Sequence, residues 1–246
     1  MKPIVLLKTG NTITRIKTQF GDFEDWFAAG TGVADMLQVD VFRHQPLPEP
    51  QALSGVLITG SAAMVSARED WSEHCAAWLA KFVLTGLPVL GVCYGHQLLA
   101  HALGGRVGPN PGGRQIGSIT ANLLATAAAD PLFGHLPQTF MAQSSHSESV
   151  LEMPPGAVRL AHCALDENFV IRFAENVWGV QFHPEFSGPV ISQYIRYRAE
   201  ALREEGLNPE ELIAGVVDTE TAGTILRKFA DIVVAHDNPT SLRCRP

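Results

Sequence analysis

The residues best placed to do chemistry lie in Leu87-Pro88-Val89-Leu90-Gly91-Val92-Cys93-Tyr94-Gly95-His96-Gln97-Leu98-Leu99. An apolar strand runs into Gly-x-Cys-x-Gly and a helix follows at once, the cysteine version of a strand–turn–helix nucleophile elbow. A nucleophile held in so sharp a turn leaves little room beside it, and Gly91 and Gly95 meet that demand. The turn sets the Cys93 sulfur at the N-terminus of the following helix. There the helix dipole and free N–H groups favour the thiolate, which is the attacking species in acyl transfer. An isolated cysteine is more often a small buried residue; the two glycines, the strand before and the helix after reverse that expectation.

A thiolate nucleophile needs a nearby base that can later protonate the leaving amine. Of the nine histidines, His96 and His101 follow the elbow on its helix and are expected to face away from the sulfur or to pack. His44, His74, His135, His162 and His236 have no suggestive neighbours. His183 differs, because it closes the strand-like run Trp178-Gly179-Val180-Gln181-Phe182 and is followed by Pro184-Glu185-Phe186. Proline cannot continue a ladder, so the strand ends there and leaves His183 and Glu185 at its exit, where sheet-based sites gather their catalytic groups. Two apart in an extended segment, both project to one side. Glu185 can then hold one ring nitrogen while the other faces Cys93. His-Pro-Glu is weak by itself and strong when paired with the elbow some ninety residues upstream.

The elements that must position these groups alternate between strand-like and helix-like runs. Ile4 to Leu7, Val39 to Phe42, Gly55 to Ile58 and Pro88 to Val92 read as strands. Phe23 to Leu37, Ser66 to Leu84 and Gly95 to Leu103 read as helices. Such alternation implies a mostly parallel sheet covered on both faces. Val107 to Gly117, rich in glycine, reads as a loop and a candidate adaptable rim. Short runs at Ile119 to Leu124, Thr139 to Ala142, Val158 to His162, Phe169 to Phe173 and Val177 to Phe182 suggest an antiparallel flank. After Pro189 the pattern turns helical, over Val190 to Glu205, Pro209 to Val216 and Glu220 to Ala235. The expectation is an α/β fold in a single domain over residues 1–246, with a helical C-terminal extension from about 189 to 246. That extension is read as a cover for the sheet in preference to a docking face.

At 246 residues, 46% hydrophobic and 17% charged, the chain suits a globular protein with a substantial core. Its formal charge of −7 and lack of a basic run make nucleic acid an unexpected partner. Cys75, Cys93, Cys163 and Cys244 are widely spaced with no CxxC pair, a pattern of neither a disulfide framework nor a zinc site. No metal and no cofactor is expected. Met1-Lys2-Pro3 and the short apolar run after it are too brief for a signal peptide, and nothing approaches the ~20 apolar residues of a membrane span. No membrane partner is expected, and the cytoplasm is the expected compartment.

Gly-Val-Cys-Tyr-Gly-His-Gln at 91–97, followed far downstream by Gly-Val-Gln-Phe-His-Pro-Glu at 179–185, resembles the class I glutamine amidotransferases. Within them it resembles the stand-alone branch related to the glutaminase domain of GMP synthase, from about Ile4 to Phe186. The resemblance implies a flavodoxin-like amidotransferase architecture and a triad of Cys93, His183 and Glu185. It implies an oxyanion hole from the amides of Gly60 and Tyr94, and it places Gln97 against the substrate. Ser145-His146-Ser147-Glu148-Ser149-Val150 resembles the family's Ser-His-Gly-Asp-x-Val segment, whose backbone grips the amino-acid end of glutamine; Ser145, His146 and Ser147 are the residues implied. Thr59-Gly60-Ser61 departs from the more usual Gly-Gly-Pro, Ser147 replaces a glycine, and Gln115 stands where relatives often carry glutamate.

The activity so implied is hydrolysis of a γ-glutamyl amide through a Cys93 thioester, with a small-molecule substrate and no cofactor. Three versions follow. The chain is a glutaminase passing ammonia to a separate synthetase subunit; or a γ-glutamyl peptidase without such a partner; or a binding or regulatory protein that keeps the fold with little turnover. No GxxxxGK[ST] loop occurs, so a synthetase activity of that kind is not expected in this chain.

Overall fold

A computed structural model describes residues 2–238; Cys244 and the end of the expected helical extension lie outside them. The chain opens with β1 (Ile4–Lys8), α1 (Thr14–Phe20), α2 (Phe23–Thr31), β2 (Leu37–Asp40), β3 (Gly55–Ile58), α3 (Asp70–Phe82), β4 (Val89–Val92) and α4 (Tyr94–Ala102). An antiparallel series follows: β5 (Arg106–Pro109), β6 (Gln115–Leu123), β7 (Thr139–His146), β8 (Glu148–Glu152), β9 (Val158–His162), β10 (Val170–Ala174) and β11 (Val177–Val180). Four helices close the described chain: α5 (Gly188–Tyr197), α6 (Ala199–Glu204), α7 (Pro209–Ala214) and α8 (Glu220–Asp237).

Nine strands form one sheet in the order β2-β1-β3-β4-β11-β10-β9-β6-β7, and β5 pairs with β8 in a small second one. From β2 to β11 the neighbours run parallel; from β11 to β7 they run antiparallel. The expected parallel sheet with an antiparallel flank is therefore what forms. β1, β3, β4 and β11 are buried along their whole length, because a parallel strand is covered on both faces and reads as a continuous apolar run. Alternate side chains of β1 feed the two cores: Ile4 and Leu6 on one face, Val5 and Leu7 on the other.

Several boundaries depart from the sequence reading. The helix expected over Phe23 to Leu37 stops at Thr31, because Gly32 takes a left-handed cap at φ 69°. Leu37 is then free to begin β2, and the strand expected at Val39 to Phe42 slides earlier as Val41 enters a short 3-10 turn. α1 was not foreseen. Asp22 anchors that corner: it caps α2, and its carboxylate pairs at 2.9 Å with Lys8 at the end of β1, both buried. The helix expected over Ser66 to Leu84 shortens to α3 between 3-10 turns.

The loop expected from Val107 to Gly117 is mostly strand. Arg106–Pro109 pairs with β8, and Gln115–Gly117 opens β6 opposite Ser144–His146. The partners lie 27 to 46 residues away along the chain, which local glycine content cannot report. β8 was likewise unforeseen. The helix expected over Val190 to Glu205 breaks at Arg198, which sits between α5 and α6 at φ −97°, ψ 9°. α8 turns Ala222, Ile225, Leu226, Phe229 and Val233 inward, with Leu226 against Gly30 of α2 and Val233 against Gly55 of β3, so this helix covers the sheet.

The elbow glycines carry a steric test. A Cβ on Gly95 would lie 2.7 Å from the Ile58 carbonyl oxygen, and one on Gly91 would lie 2.4 Å from the Gly95 oxygen. Neither backbone can retreat without opening the β3–β4 ladder. Gly95→Ala is expected to destabilise by about 1–3 kcal/mol, read as a lower midpoint in urea with an unchanged m-value. A wild-type midpoint would show that the elbow tolerates a side chain there.

Candidate active site

β3, β4 and β11 are adjacent parallel strands, and each delivers one group from its carboxyl end. The β4–β11 register sets Gly91 opposite Gly179 and Val92 opposite Val180. Cys93 therefore leaves the sheet next to the point where the chain runs on to His183. The amide of Cys93 donates to the Val180 carbonyl at 2.8 Å, that of Gly95 to Thr59 at 3.2 Å and that of Gln97 to Cys93 at 3.1 Å. These bonds hold Cys93 at φ 52°, ψ −101°, a conformation that costs a non-glycine residue on the order of 1–3 kcal/mol and persists only where the surroundings enforce it.

His183 leaves β11 with its amide bonded to the Gln143 carbonyl at 2.8 Å. Its Nδ1 lies 2.7 Å from Oε1 of Glu185, and both side chains are closed to solvent. The ring also stacks on Phe186, centroids 4.0 Å apart and planes within 10°. Phe186 in turn packs against Trp26 and Tyr194, so the imidazole plane is set by an aromatic wall as well as by the carboxylate. Burial disfavours the charged ring, but the charges of Glu185 and Cys93 outweigh it and carry the His183 pKa from 6.5 up to about 10.

Gly60 lies against both groups: a Cβ there would come within 2.7 Å of His183 Cε1 and 3.6 Å of Cys93 Cβ. Among the described residues, neither the Gly60 nor the Tyr94 amide has a protein acceptor. Two N–H groups without a protein acceptor thus belong to residues beside Cys93, donors of the kind an oxyanion requires.

The cleft in front of Cys93 is walled by Ser61–Met64, Tyr94, Gln97 and Ser145–Glu148. The Ser145 carbonyl stands 3.9 Å from the sulfur. Gln97 gives its amide nitrogen to the Glu148 carbonyl at 2.7 Å and to Gln181 at 3.0 Å, which leaves only its oxygen for a ligand. Ser147 lies at the rim, its hydroxyl near the Met64 sulfur. The carboxylate of Glu148 is held by the amide and hydroxyl of Ser66.

His146 turns away from the sulfur. Its Nδ1 meets the Glu148 carbonyl at 2.9 Å and its Nε2 meets the Gln115 side chain at 3.1 Å. Burial, and then the charge of His183, push its pKa down to about 4. A neutral ring that donates to a carbonyl must accept at the other nitrogen, so Gln115 presents its NH2 group; the amide's oxygen and nitrogen are assigned by this network. A glutamate at 115 would instead accept from the ring and favour its charged form. His96 is buried against Phe173, and burial lowers its pKa to about 3; it packs, as one of the two expectations had it.

Thus Cys93, His183, Glu185, Gly60 and Tyr94 come together, with Gln97, Ser145, His146 and Ser147 along the same cleft. Sequence reasoning missed Phe186 as the ring's support, although it adjoins the His-Pro-Glu motif. It also missed Arg114 and Arg198, which reach the cleft from a loop and from a helix break and carry no local pattern.

A sequence profile described as "Glutamine amidotransferase class-I" matches residues 29–197. The chain belongs to this family. A GMP synthase [glutamine-hydrolyzing] of Christiangramia forsetii is 31% identical over 198 residues, covering 80% of this chain but 35% of that protein. The chain therefore spans about a third of that relative, and a match to the GMP synthase of Thermomicrobium roseum, 37% identical over 131 residues, takes in 53% of this chain and 23% of the relative. Gamma-glutamyl peptidase 5 of Arabidopsis thaliana is 28% identical over 204 residues, covering 79% of this chain and 80% of the peptidase. The crystal structure of a glutamine amidotransferase from Thermotoga maritima superposes with a TM-score of 0.75 at 20% identity, covering 95% of this chain and 99% of the other. At that identity the likeness is one of fold. Among the described residues no helix is long and apolar enough to cross a membrane.

The charge on His183 can be measured directly. Nitrogen NMR of the ring is expected to show it protonated at neutral pH and titrating near 10, while His146 stays neutral down to about 4. Because the folded value lies above the unfolded 6.5, the associated stability is complete below that pH and is lost as pH rises through about 10. Glu185→Gln should move the His183 midpoint down. A midpoint near 6.5 in the unsubstituted protein would contradict the arrangement.

Proposed function

We propose that the chain hydrolyses the γ-amide of glutamine or of another γ-glutamyl compound through a thioester on Cys93, releasing ammonia or an amine. The observation that carries this reading is the convergence at one elbow of a thiol, a carboxylate-bound imidazole and two unpaired amides. The Cys93 thiolate attacks the amide carbonyl, and the oxyanion is received by the Gly60 and Tyr94 N–H groups, each contributing about 3–4 kcal/mol. The carbon–nitrogen bond breaks as His183 gives its proton to the leaving nitrogen. Water then attacks the thioester and passes a proton to His183, the carbon–sulfur bond breaks, and glutamate leaves with thiolate and imidazolium restored. Glu185 keeps the ring oriented throughout. Gln97 and the Ser145–Ser147 segment line the space for the glutamyl half.

A second reading, a γ-glutamyl peptidase acting without a synthetase, is favoured by one feature. A further cavity opens on the His183 side, lined by Asn11, Ile13, Phe186 and Tyr194, and gives a leaving group larger than ammonia somewhere to go. The likeness to the Arabidopsis peptidase over most of both chains supports the same reading. The names of the GMP synthase relatives support glutamine as substrate. Turnover of glutamine compared with γ-glutamyl dipeptides, on the isolated protein, decides between them.

Cys93→Ala is expected to lower kcat/KM by about 10⁴-fold or more with an unchanged circular dichroism spectrum; retained turnover would sink the mechanism. A glutamine-like diazo-ketone should alkylate Cys93 ahead of Cys75 and Cys163, which are buried and whose thiols burial pushes up, Cys75 to about 12.

The two partners of the sulfur should separate in kinetics. His183→Ala removes the proton carrier and is expected to lose more rate than Glu185→Gln, which leaves the ring in place with its orientation weakened. Wild-type rates from both variants would refute the assignment of His183 and Glu185.

A further inference from the structure

Arg198 is the one arginine of the cleft among the described residues without an ion-pair partner, although the charge of Glu205 acts on it from further off. Arg114, the other, is held by Glu205 through its Nε and a terminal nitrogen at 2.8 and 3.0 Å. No carboxylate of the described residues lies within 4.0 Å of Arg198, none of its guanidinium nitrogens has a hydrogen-bond partner among the described residues, and its Nε is closed to solvent. It follows the last turn of α5, where the chain breaks before α6, and its side chain walls both cavities of the site. Burial, and then the charge of Arg114, work against its protonation. A guanidinium kept half-buried without an ion-pair partner is suited to receive an anion, since a charge removed from water is stable only when paired.

Position decides which anion. Cys93 and Gln97 wall only the first cavity, and His183 and Asn11 wall only the second. The scissile bond must lie between sulfur and imidazole, so the glutamyl half fills the first cavity and the leaving amine the second. Arg198 belongs to both, as do Ser61, Ala62 and Ser145, and so borders the passage between them that an amide bridging the two cavities would cross. In a γ-glutamyl amide the glutamyl carboxylate is three carbons from the scissile carbonyl. In a γ-glutamyl amino acid the other carboxylate is only one carbon from the scissile nitrogen. We infer that Arg198 recognises the carboxylate of an amino acid leaving group, so that the preferred substrates are γ-glutamyl amino acids. This rests on the proposed hydrolysis for the direction in which the substrate lies, and it adds the class of leaving group.

Binding to the Cys93→Ala protein tests this apart from turnover. By calorimetry, γ-glutamylglycine is expected to bind about 10- to 100-fold more tightly than γ-glutamylmethylamide, the range for a hydrogen bond to a charged group. Adding Arg198→Gln should abolish that preference, and Arg198→Lys should restore part of it. Equal affinities in Cys93→Ala, or binding of neither ligand, would overturn the inference without recourse to the second substitution. An equal loss for both ligands in Cys93→Ala/Arg198→Gln would place Arg198 against the glutamyl half and overturn it as well. In wild type the ratio of kcat/KM for the two compounds should fall in the same way with Arg198→Gln. A wild-type protein that keeps the binding preference but turns over neither compound would sink the thioester mechanism and leave the recognition standing.

Discussion

The pairing of β4 with β11 is the contact on which the site depends. One strand comes from residues 89–92 and the other from 177–180, and their register sets Val92 level with Val180. From that level the chain runs on to Cys93 on one side and to His183 on the other. The bond from the Cys93 amide to the Val180 carbonyl, 2.8 Å, ties the two exits together. A slip of one residue would reverse which face each side chain meets, and a slip of two would carry the groups some 6–7 Å apart along the strands.

Around that pairing the structure spends backbone freedom to aim side chains. Cys93 is held at positive φ by the bonds of its neighbours, and the turn closes only because Gly91 and Gly95 present no Cβ to each other or to β3. His183 is aimed by different means. Its ring is clamped between a carboxylate at one nitrogen and the face of Phe186, and Phe186 is backed by α2 and α5 through Trp26 and Tyr194. Helices far apart in sequence thus fix the plane of a single imidazole.

Charge divides the histidines into roles by burial and company. His183, His146 and His96 are all closed to solvent, yet only His183 has a carboxylate and a sulfur beside it, and only its pKa rises. His146, bonded to a carbonyl and an amide, and His96, set against an aromatic ring, are driven towards the neutral form. The same contrast separates the two cleft arginines: Glu205 pairs with Arg114, and no described residue does so for Arg198.

Local order was legible in the sequence. The fully buried strands β1, β3 and β4 read as continuous apolar runs and the elbow read from its two glycines, because each rests on the steric demands of a few consecutive residues; the strand expected over Val177 to Phe182 instead ends at Val180, before the proline, and His183 makes a single bridge to Gln143. Cys93, His183 and Glu185 could be named for that reason. The tertiary structure alone decided what depends on distant chain. It decided that residues 106–109 and 115–117 are strands, since their partners lie 27 to 46 residues away, and that Phe186 backs the imidazole. It decided that His146 is spent on Glu148 and Gln115. Arg198 was beyond any reading of pattern: within a helical run it is one more polar residue, and only the break after α5 and the packing of that helix against β6 and β7 set it at the wall of the cleft.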